Sequence, residues 1–252
     1  MRFAEYDYQE EGRDDVALGM DHAWDAHWSG RKGLKADLTD EPLWLTIRDE
    51  LKRLGRILEA GCGTGQWVQF LGTLGHAVVG VDYAASGLAV GRAHNPNLNL
   101  IQADFRHLPF EDESFDYVVS FGAVEHDVQG PEDALREFHR VLKPDGKLMC
   151  SVPCLNLYRT LGYPWLATRK WLKRRKSLRR LWGKTAPFVF YEYIWSPGEY
   201  QRILSRCGFK VLTMCGYGDV LKSGPMRLFD AVPGRVSSLS SAHMMMAICR
   251  RA

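Results

Sequence analysis

Ile57-Leu58-Glu59-Ala60-Gly61-Cys62-Gly63-Thr64-Gly65 is the stretch that decides the fold. An apolar run ends in an acid and passes through three alternating glycines before a helical pattern begins. Apolar residues then recur on one face of that helix: Trp67, Phe70, Leu71 and Leu74. The order predicts a strand, a tight turn and a helix. Glycines let the backbone adopt positive φ and approach a ligand closely, with the free N–H groups of the helix behind it.

A second apolar run, Ala77 to Val81, follows the helix and ends in Asp82. An acid after the second strand of a βαβ unit suits a ribose, because both ribose hydroxyls can donate to one carboxylate. The glycines are spaced G-x-G-x-G, whereas a nicotinamide or flavin fingerprint has G-x-G-x-x-G. In addition, Glu59 stands two residues before the first glycine. The stretch therefore predicts a nucleoside-binding crevice that differs from the dinucleotide fingerprint.

The motif E-x-G-C-G-T-G followed by G-V-D resembles the class I S-adenosylmethionine (SAM) dependent methyltransferases, especially their small-molecule branch. Further along, the run from F-D-Y-V-V-S to R-V-L-K-P-D-G-K-L is similar to the core of the same family. The resemblance implies a transferase that uses SAM and releases S-adenosylhomocysteine. It also implies a Rossmann-like α/β fold: a seven-stranded sheet with helices on both faces and an antiparallel last strand. To this fold the sequence adds a basic helical insertion.

The resemblance places cofactor contacts in the glycine loop and at the ends of the strands that follow it. Asp104 matches an acid that accepts a hydrogen bond from the adenine amino group, and Phe105 matches the residue beside the ring. A helix cap or turn is the alternative role for Asp104. The predicted cofactor-binding residues are Glu59, Gly61, Cys62, Gly63, Gly65, Asp82, Tyr83, Asp104, Phe105, Phe121, Gly122 and Glu125.

His126 is the candidate catalytic residue, because it follows the fourth strand at the sheet edge where α/β proteins bind ligands. A methyl group on a sulfonium is already electrophilic, so the protein mainly has to align the reactants. A base is needed only when the acceptor arrives protonated. Histidine suits that task because its ordinary pKa lies near 6.5. The alternative is a histidine that starts a helix or lines the cofactor without proton chemistry, and Glu125 is expected to contact the methionine moiety or orient a partner.

Three tyrosines in or beside the insertion are the predicted acceptor-binding residues: Tyr158, Tyr191 and Tyr193. No N/D-P-P-Y tetrapeptide follows the fourth strand, which argues against methylation of an amino group on a nucleic-acid base. The eight histidines and six cysteines show no metal-ligand spacing, so no metal site is predicted. Most cysteines lie in apolar stretches, where a free thiol behaves as a small hydrophobe.

The chain has the composition of a soluble globular protein, with 46% apolar and 25% charged residues. Its start turns acidic within five residues, unlike a signal peptide, and no apolar run approaches the ~18 residues that span a bilayer. Together with the free thiols, this indicates a cytoplasmic protein. The net charge of +3 hides an asymmetry, because residues 146–191 contain eleven Lys or Arg and no acid. The rest of the chain carries 22 Lys and Arg against 30 Asp and Glu.

Residues 1–39 are predicted to form an N-terminal cap segment, and residues 40–252 the SAM-binding methyltransferase domain with a basic lid inserted at about 153–195. Within the N-terminal segment, Trp24 and Trp28 lie four apart on a short helix, where they either pack against the core or cap the cofactor.

The basic insertion has three interpretations. It forms a solvated charged face, or it binds an anionic acceptor, or residues 165–182 form a peripheral contact with an anionic membrane, with Trp and Leu among the headgroups. The favoured function is methyl transfer to a small-molecule or lipid-like acceptor, with the insertion as lid. A less favoured alternative is an RNA or other nucleic-acid methyltransferase, in which Trp171 and Trp182 stack bases and the Lys and Arg residues at 169–184 contact phosphates. The third is a SAM-binding interaction protein without turnover.

Two local patterns predict element boundaries outside the glycine loop. A helix is expected from Pro42 to Gly55, with one apolar stripe: Leu43, Ile47, Leu51 and Leu54. Residues 143–146 predict a turn before a fifth strand at 147–152. The last two strands, within 209–214 and 242–248, are expected to form an antiparallel hairpin at the sheet edge.

Overall fold

Strands and helices alternate along the chain, as the sequence predicts. The structure is a computed structural model and describes residues 2–8, 24, 27–28, 33–35, 37–156, 160, 188–219, 239 and 242–252. Within these residues the strands are β1 (Arg2–Tyr8), β2 (Arg56–Ala60), β3 (Ala77–Asp82), β4 (Leu100–Gln102), β5 (Phe115–Phe121), β6 (Leu142–Pro153), β7 (Phe188–Trp195), β8 (Phe209–Asp219) and β9 (Ala242–Arg251). The helices are α1 (Pro42–Ile47), α2 (Gln66–Thr73), α3 (Ala85–His94), α4 (Glu132–Val141) and α5 (Pro197–Arg206), with a 3₁₀ turn at Val124–His126.

Seven of these strands form one mixed sheet in the order β4-β3-β2-β5-β6-β9-β8. The strands from β4 to β6 pair in parallel, and β9 runs antiparallel to both β6 and β8. The predicted seven-stranded sheet and its antiparallel terminal hairpin are thus confirmed. The order reverses between β2 and β5, and ligands in open α/β sheets bind at such a switch point, beyond the carboxyl ends of the strands.

Apolar side chains pack against both faces of this sheet. Successive residues of a strand point to opposite faces, and β2 illustrates the result. Leu58 and Ala60 lie in a core cluster that also contains residues of α4 and α5. Ile57 lies in a second cluster with residues of α1 and α2. The prediction of helices on both faces of the sheet is confirmed.

The helix predicted to end at Gly55 is shorter than expected. It ends at Ile47, and the N–H groups of Glu50 and Leu51 bond to carbonyls three residues back, which forms tighter turns than an α-helix. Leu51 is still buried, but Leu54 is 62% exposed. The predicted apolar stripe is therefore wrong at Leu54, because the helix has ended before that residue.

The turn predicted at 143–146 is also absent as a separate element. These residues belong to β6, in which Leu142 pairs with Phe115 and Lys147 pairs with Tyr117. Between the two pairs, β6 contains more residues than β5, so the extra ones form an irregularity within the ladder. The Pro and Gly of this stretch are accommodated by that bulge-like irregularity, where a ladder bond is not required.

Beside the main sheet, β1 and β7 form a two-stranded antiparallel ribbon. The pairing runs from Arg2 opposite Trp195 to Tyr8 opposite Phe188. The carbonyl of Trp195 accepts a hydrogen bond from the N–H of Leu155 just beyond β6, which joins the ribbon to the body of the protein. No sequence pattern predicted this ribbon. Of the basic helical lid predicted at about 153–195, residues 157–159 and 161–187 lie outside the described residues. The described end of that range, Phe188–Trp195, is the strand β7 and not a helix.

The six cysteines are free thiols in the structure. Five of them are buried, and Cys215 is half-buried. None of the helices among the described residues has both the length and the apolar character needed to cross a bilayer.

Candidate active site

A cavity opens at the carboxyl edge of the sheet, next to the switch point between β2 and β5. It is bordered by the segments that follow β2, β3, β4 and β5. The described residues that line it are Trp24, Trp28, Gly61, Asp82, Tyr83, Asp104, Phe105, Arg106, Gly122, Ala123, His126, Asp127 and Val128. One cavity therefore brings together predicted cofactor-binding residues and the candidate catalytic histidine.

The glycine loop forms the wall of the cavity that follows β2. Gly61 has φ +80°, and its N–H and that of Cys62 both donate to the carbonyl of Val81, at 2.8 and 3.0 Å. A Cβ atom on Gly61 would lie 2.3 Å from the Cβ of Ala123. Glycine is thus required at this position both by the backbone conformation and by the close approach of the segment after β5.

Asp82 connects the end of β3 to the same loop. Its Oδ2 accepts a hydrogen bond of 2.6 Å from the N–H of Gly63, and its Oδ1 accepts one of 2.8 Å from the N–H of Ala84. Both bonds come from the backbone, so they hold the carboxylate in one orientation at the cavity wall. This is the position predicted for the ribose-binding acid.

Glu59 lies behind the loop and is not one of the described residues that line the cavity. It is 3% exposed, and its Oε2 has no hydrogen-bond partner among the described residues. Burial raises the pKa of Glu59 well above its ordinary value, and the charge of Asp82 raises it further, although the N–H of Val68 opposes both effects. Burial thus favours the protonated form of Glu59, whose hydrogen bond comes from Val68 of α2.

Asp104 is held by Arg106, a residue that sequence reasoning did not select. The guanidinium Nη2 lies 2.7 Å from Oδ2 of Asp104, and its Nη1 lies 3.5 Å from Oδ2 of Asp127. Burial acts to raise the pKa of Asp104, but the hydrogen bonds and charge of Arg106 outweigh it, so this pKa is lowered. The predicted adenine acceptor is therefore ionised and oriented by a neighbouring cation.

His126 also lines the cavity, from the 3₁₀ turn after β5. Its Nδ1 is 2.7 Å from the carbonyl oxygen of Tyr191 on β7. A carbonyl can only accept, so Nδ1 carries the hydrogen, and in the neutral ring Nε2 keeps its lone pair. Burial lowers the pKa of His126, and the charge of His27 lowers it further. The hydrogen bond to the Tyr191 carbonyl acts in the other direction and raises this pKa. The ring is therefore neutral near pH 7.

Two carboxyl groups accompany this histidine. One ligand atom each from Glu125, His126 and Glu192 lie within 4.8 Å of one another, a set of groups that could hold a metal ion. Glu125 is fully buried, with Oε2 unpartnered among the described residues. Burial raises the pKa of Glu125 well above its ordinary value, and the charge of Glu192 adds to the effect.

Two tryptophans from the N-terminal segment complete the described wall. The ring of Trp24 meets that of His126 edge to face, with centroids 4.6 Å apart, and stacks with Trp28 at 6.4 Å. A Cβ on Gly63 would come within 2.6 Å of the Trp28 indole, so Trp28 lies directly on the glycine loop. The i, i+4 spacing of these residues was visible in the sequence, but their contact with His126 was not.

The structure brings half of the predicted cofactor-binding residues to the cavity. Those that line it are Gly61, Asp82, Tyr83, Asp104, Phe105 and Gly122. The others lie behind or beside it: Glu59, Cys62, Gly63, Gly65, Phe121 and Glu125. Two of these support the loop directly, because the N–H of Gly65 donates to the carbonyl of Cys62 at 2.8 Å.

The structure describes two of the three predicted acceptor-binding tyrosines, and their contacts differ. Tyr191 contacts His126 through its carbonyl and its ring, with ring centroids 5.3 Å apart. The hydroxyl of Tyr193 donates to the carbonyl of Val128 at 2.8 Å, so it ties β7 to the cavity wall. Tyr158 lies outside the described residues. Asp127, Val128 and Glu192, which sequence reasoning missed, carry no pattern of their own, because long-range packing places them beside the site.

Comparison with known proteins identifies the relatives of this chain. A family model described as a methyltransferase domain matches residues 58–150. A demethylmenaquinone methyltransferase of Staphylococcus epidermidis is 38% identical over 117 residues, which cover 42% of this chain and 47% of that protein. The corresponding enzyme of Staphylococcus aureus strain JH9 is 38% identical over 174 residues, which cover 61% of this chain and 67% of that protein. The chain thus spans about half to two thirds of the length of these curated relatives.

A solved structure with similar coverage of both chains is that of Burkholderia thailandensis 1,6-didemethyltoxoflavin-N1-methyltransferase, with bound 1,6-didemethyltoxoflavin and S-adenosylhomocysteine. It has a TM-score of 0.57 and 14% sequence identity, and the match covers 99% of this chain and 96% of that one. At this identity the likeness shows the fold alone.

Proposed function

Because this chain belongs to the class I SAM-dependent methyltransferases, we propose that it transfers the methyl group of SAM to a small-molecule acceptor in the cavity described above. The observation that carries this proposal is the composition of one cavity. Asp82 and Asp104 line the cavity where the cofactor is expected, and His126 lines the same cavity with Nε2 as a proton acceptor. Nucleoside binding and proton chemistry would thus meet in one place.

The residues present fit SAM as the cofactor. A loop with positive φ at Gly61 allows close approach of a ligand to the backbone, and the carboxylates of Asp82 and Asp104 are fixed at the cavity wall by backbone N–H groups and by Arg106. When bound, SAM supplies a methyl group on a sulfonium with a neutral thioether as leaving group. The protein is then expected to hold the acceptor in line with that methyl group and to exclude water.

His126 would act on an acceptor that arrives protonated. Its Nε2 would take the proton of an acceptor hydroxyl as the acceptor attacks the methyl carbon, a role that typically contributes about 10²–10⁴-fold. The bond from Nδ1 to Tyr191 holds the ring in the tautomer that this step requires. An acceptor that is already an anion would not need this proton transfer.

The wall around His126 favours an acceptor with an apolar, ring-shaped body. Trp24, which contacts the His126 ring, and Val128 supply apolar surface there, and aromatic rings pack favourably against one another. The Staphylococcus relatives are named for demethylmenaquinone, and we take a hydroxylated aromatic ring of the quinol type as the acceptor class for this chain too.

A nucleic-acid acceptor is less favoured by the described part of the cavity. Arg106 is the one Lys or Arg among the described lining residues, and it is already paired with Asp104 and Asp127. Phosphate recognition usually depends on several available cations. The small-molecule acceptor therefore remains the first choice.

The experiment that tests the proposed function has two steps. Titration calorimetry with SAM, S-adenosylhomocysteine and NAD should show binding of the first two compounds and none of the third. Incubation with SAM carrying a labelled methyl group should then transfer label to a short-chain demethylmenaquinol analogue, whereas transfer RNA should remain unlabelled. Binding of NAD without SAM, or label on RNA alone, would contradict the proposal.

The lid and the membrane contact are proposals that rest on the sequence alone, because 165–182 lies outside the described residues. The eight Lys and Arg residues at 165–182 would bind anionic headgroups, and tryptophans would enter the interface. Cosedimentation of the full chain with vesicles tests this contact: binding should require anionic lipid and weaken with added salt. Equal binding to neutral vesicles, or none to either kind, would argue against it.

A further inference from the structure

Strand β7 contacts the candidate base at two successive residues. The carbonyl of Tyr191 accepts the hydrogen on Nδ1 of His126, and a carboxylate oxygen of Glu192 lies within 4.8 Å of a ring nitrogen of the same histidine. Neither residue belongs to the main sheet. The surroundings of the base are therefore set by a strand that lies outside the SAM-binding core.

The two carboxyl groups near His126 differ in their expected charge. Glu125 is fully buried, and burial together with the negative charge of Glu192 raises its pKa well above the ordinary value. Burial thus favours the protonated form of Glu125, whereas Glu192 is half-buried, so that desolvation opposes its ionisation less.

A buried imidazole accepts a proton reluctantly, because burial disfavours its charged form. His126 is 9% exposed, and the ring of Trp24 covers one of its sides. His27 contributes a further unfavourable charge. A carboxylate within a few ångström would offset this cost, because opposite charges at that distance favour the charged form.

We propose that β7 is the positioning element of the catalytic base: the Tyr191 carbonyl selects the tautomer of His126, and the Glu192 carboxylate stabilises the imidazolium formed during methyl transfer. In this step the acceptor hydroxyl gives its proton to Nε2, a ring carbon of the resulting phenolate bonds to the methyl carbon, and the bond from that methyl carbon to sulfur breaks. The ring carbon's own proton then passes to the oxygen through solvent, which restores the aromatic ring. The sulfur leaves as a neutral thioether, and the imidazolium later returns its proton to solvent. This inference rests on the proposed function.

The position of β7 depends in turn on the N-terminal strand. In the antiparallel pairing of β1 with β7, Phe3 lies opposite Ile194 and Ala4 lies opposite Tyr193. The guanidinium of Arg2 lies 4.4 Å from the centre of the Tyr193 ring. The N-terminal residues thus support the base indirectly, through the strand that contacts it.

The central test is Glu192→Gln, which keeps the shape of the side chain and removes its charge. We expect a 10- to 100-fold lower kcat on a protonated acceptor and SAM affinity within twofold of the wild type. NMR titration of the His126 ring in the free protein should show its pKa lowered further. Glu199→Gln on α5, which removes a surface ion pair with Arg202, is the matched control and should change neither quantity.

Several results would overturn the inference. An unchanged kcat together with an unchanged His126 titration would exclude a role for Glu192. Loss of wild-type activity in EDTA, restored by Zn²⁺ or Mn²⁺, would make the cluster a metal site instead. If no acceptor is methylated, the proposed function fails, but the NMR titration in the free protein still decides whether Glu192 acts on His126.

The contribution of β1 has its own test. Neighbouring N–H groups of a strand point to opposite sides, so Phe3→Pro with Ala4→Pro removes a ladder donor whichever side faces β7. We expect the NMR signature of the Nδ1–H tautomer to weaken and kcat to fall, with SAM affinity retained. The control pair, Phe3→Val with Ala4→Val, should preserve both. An unchanged tautomer in a folded double-proline variant would show that β7 holds its place without β1.

Discussion

The carboxylate of Asp82 accepts a 2.6 Å hydrogen bond from the backbone N–H of Gly63, which couples the end of β3 to the glycine loop. A residue expected to bind the ribose thus also shapes the loop that lies beside it. Asp82→Ala should weaken SAM binding by about 10- to 100-fold, because hydrogen bonds to charged groups contribute about 1.5–3 kcal/mol each. Calorimetry measures the effect, with exposed Glu111→Ala as the control. Unchanged affinity would mean that Asp82 does not hold the ribose.

Gly61→Ala should destabilise the protein by about 1–3 kcal/mol, the usual range for overpacking and for a strained backbone. The new Cβ would meet Ala123 at 2.3 Å in a left-handed conformation. Gly72→Ala in α2 has open space around it and should instead stabilise by roughly 0.5–1 kcal/mol. Denaturant unfolding of both variants checks the contrast, and equal effects would show that the loop adapts freely.

Glu59→Gln should change how stability depends on pH. The folded state raises the pKa of Glu59, so the folded protein holds this proton more tightly than the unfolded chain. The resulting stabilisation is complete below the unfolded pKa, near 4.3, and is lost as pH rises toward the folded pKa. Each tenfold difference in proton affinity between the two states contributes about 1.4 kcal/mol. Gln is neutral throughout, so unfolding free energy measured from pH 4.5 to 8 should fall less steeply in the variant. Parallel curves would contradict a neutral Glu59.

His126→Gln should lower kcat on a protonated acceptor by about 10²–10⁴-fold and leave SAM affinity nearly unchanged. Burial lowers the pKa of His126 below its ordinary 6.5, and the neutral ring is the active form. In the wild type, kcat/KM should therefore rise with pH along a limb with its midpoint below 6.5 and stay level above it. His94→Gln, an exposed histidine at the end of α3, is the control. A variant that keeps the wild-type kcat would exclude proton transfer by His126.

The glycine loop and the acids after β2, β3 and β4 were predictable because their signal is local. Each lies at a strand end, and the carboxyl ends of parallel strands meet at one edge of a sheet, so Asp82 and Asp104 could be placed together without a structure. The apolar run around Leu58 likewise predicted a strand. The apolar stripe of α1 was predicted wrongly at Leu54, because the residue at which a helix ends depends on tertiary contacts as well as on the local pattern.

The surroundings of His126 were not predictable in the same way. Glu192 lies far from His126 in the chain, and its place depends on the pairing of β1 with β7, which no turn connects. Arg106 follows Asp104 closely, but nothing in the sequence shows that its guanidinium turns back onto that carboxylate. Local patterns thus located the residues expected to bind the cofactor, whereas the surroundings of the candidate base depended on long-range pairing.

Because the six thiols differ in exposure, the rates at which they are chemically labelled should report local and global unfolding of this protein. Cys215 is half-buried on β8, while the other five cysteines are buried, among them Cys62 in the glycine loop and Cys150 on β6. An alkylating reagent followed by mass spectrometry should therefore modify Cys215 first and reach the others only during local or global unfolding. A ligand that clamps the loop should delay labelling of Cys62 more than that of Cys249, so occupancy could be followed without a substrate in hand.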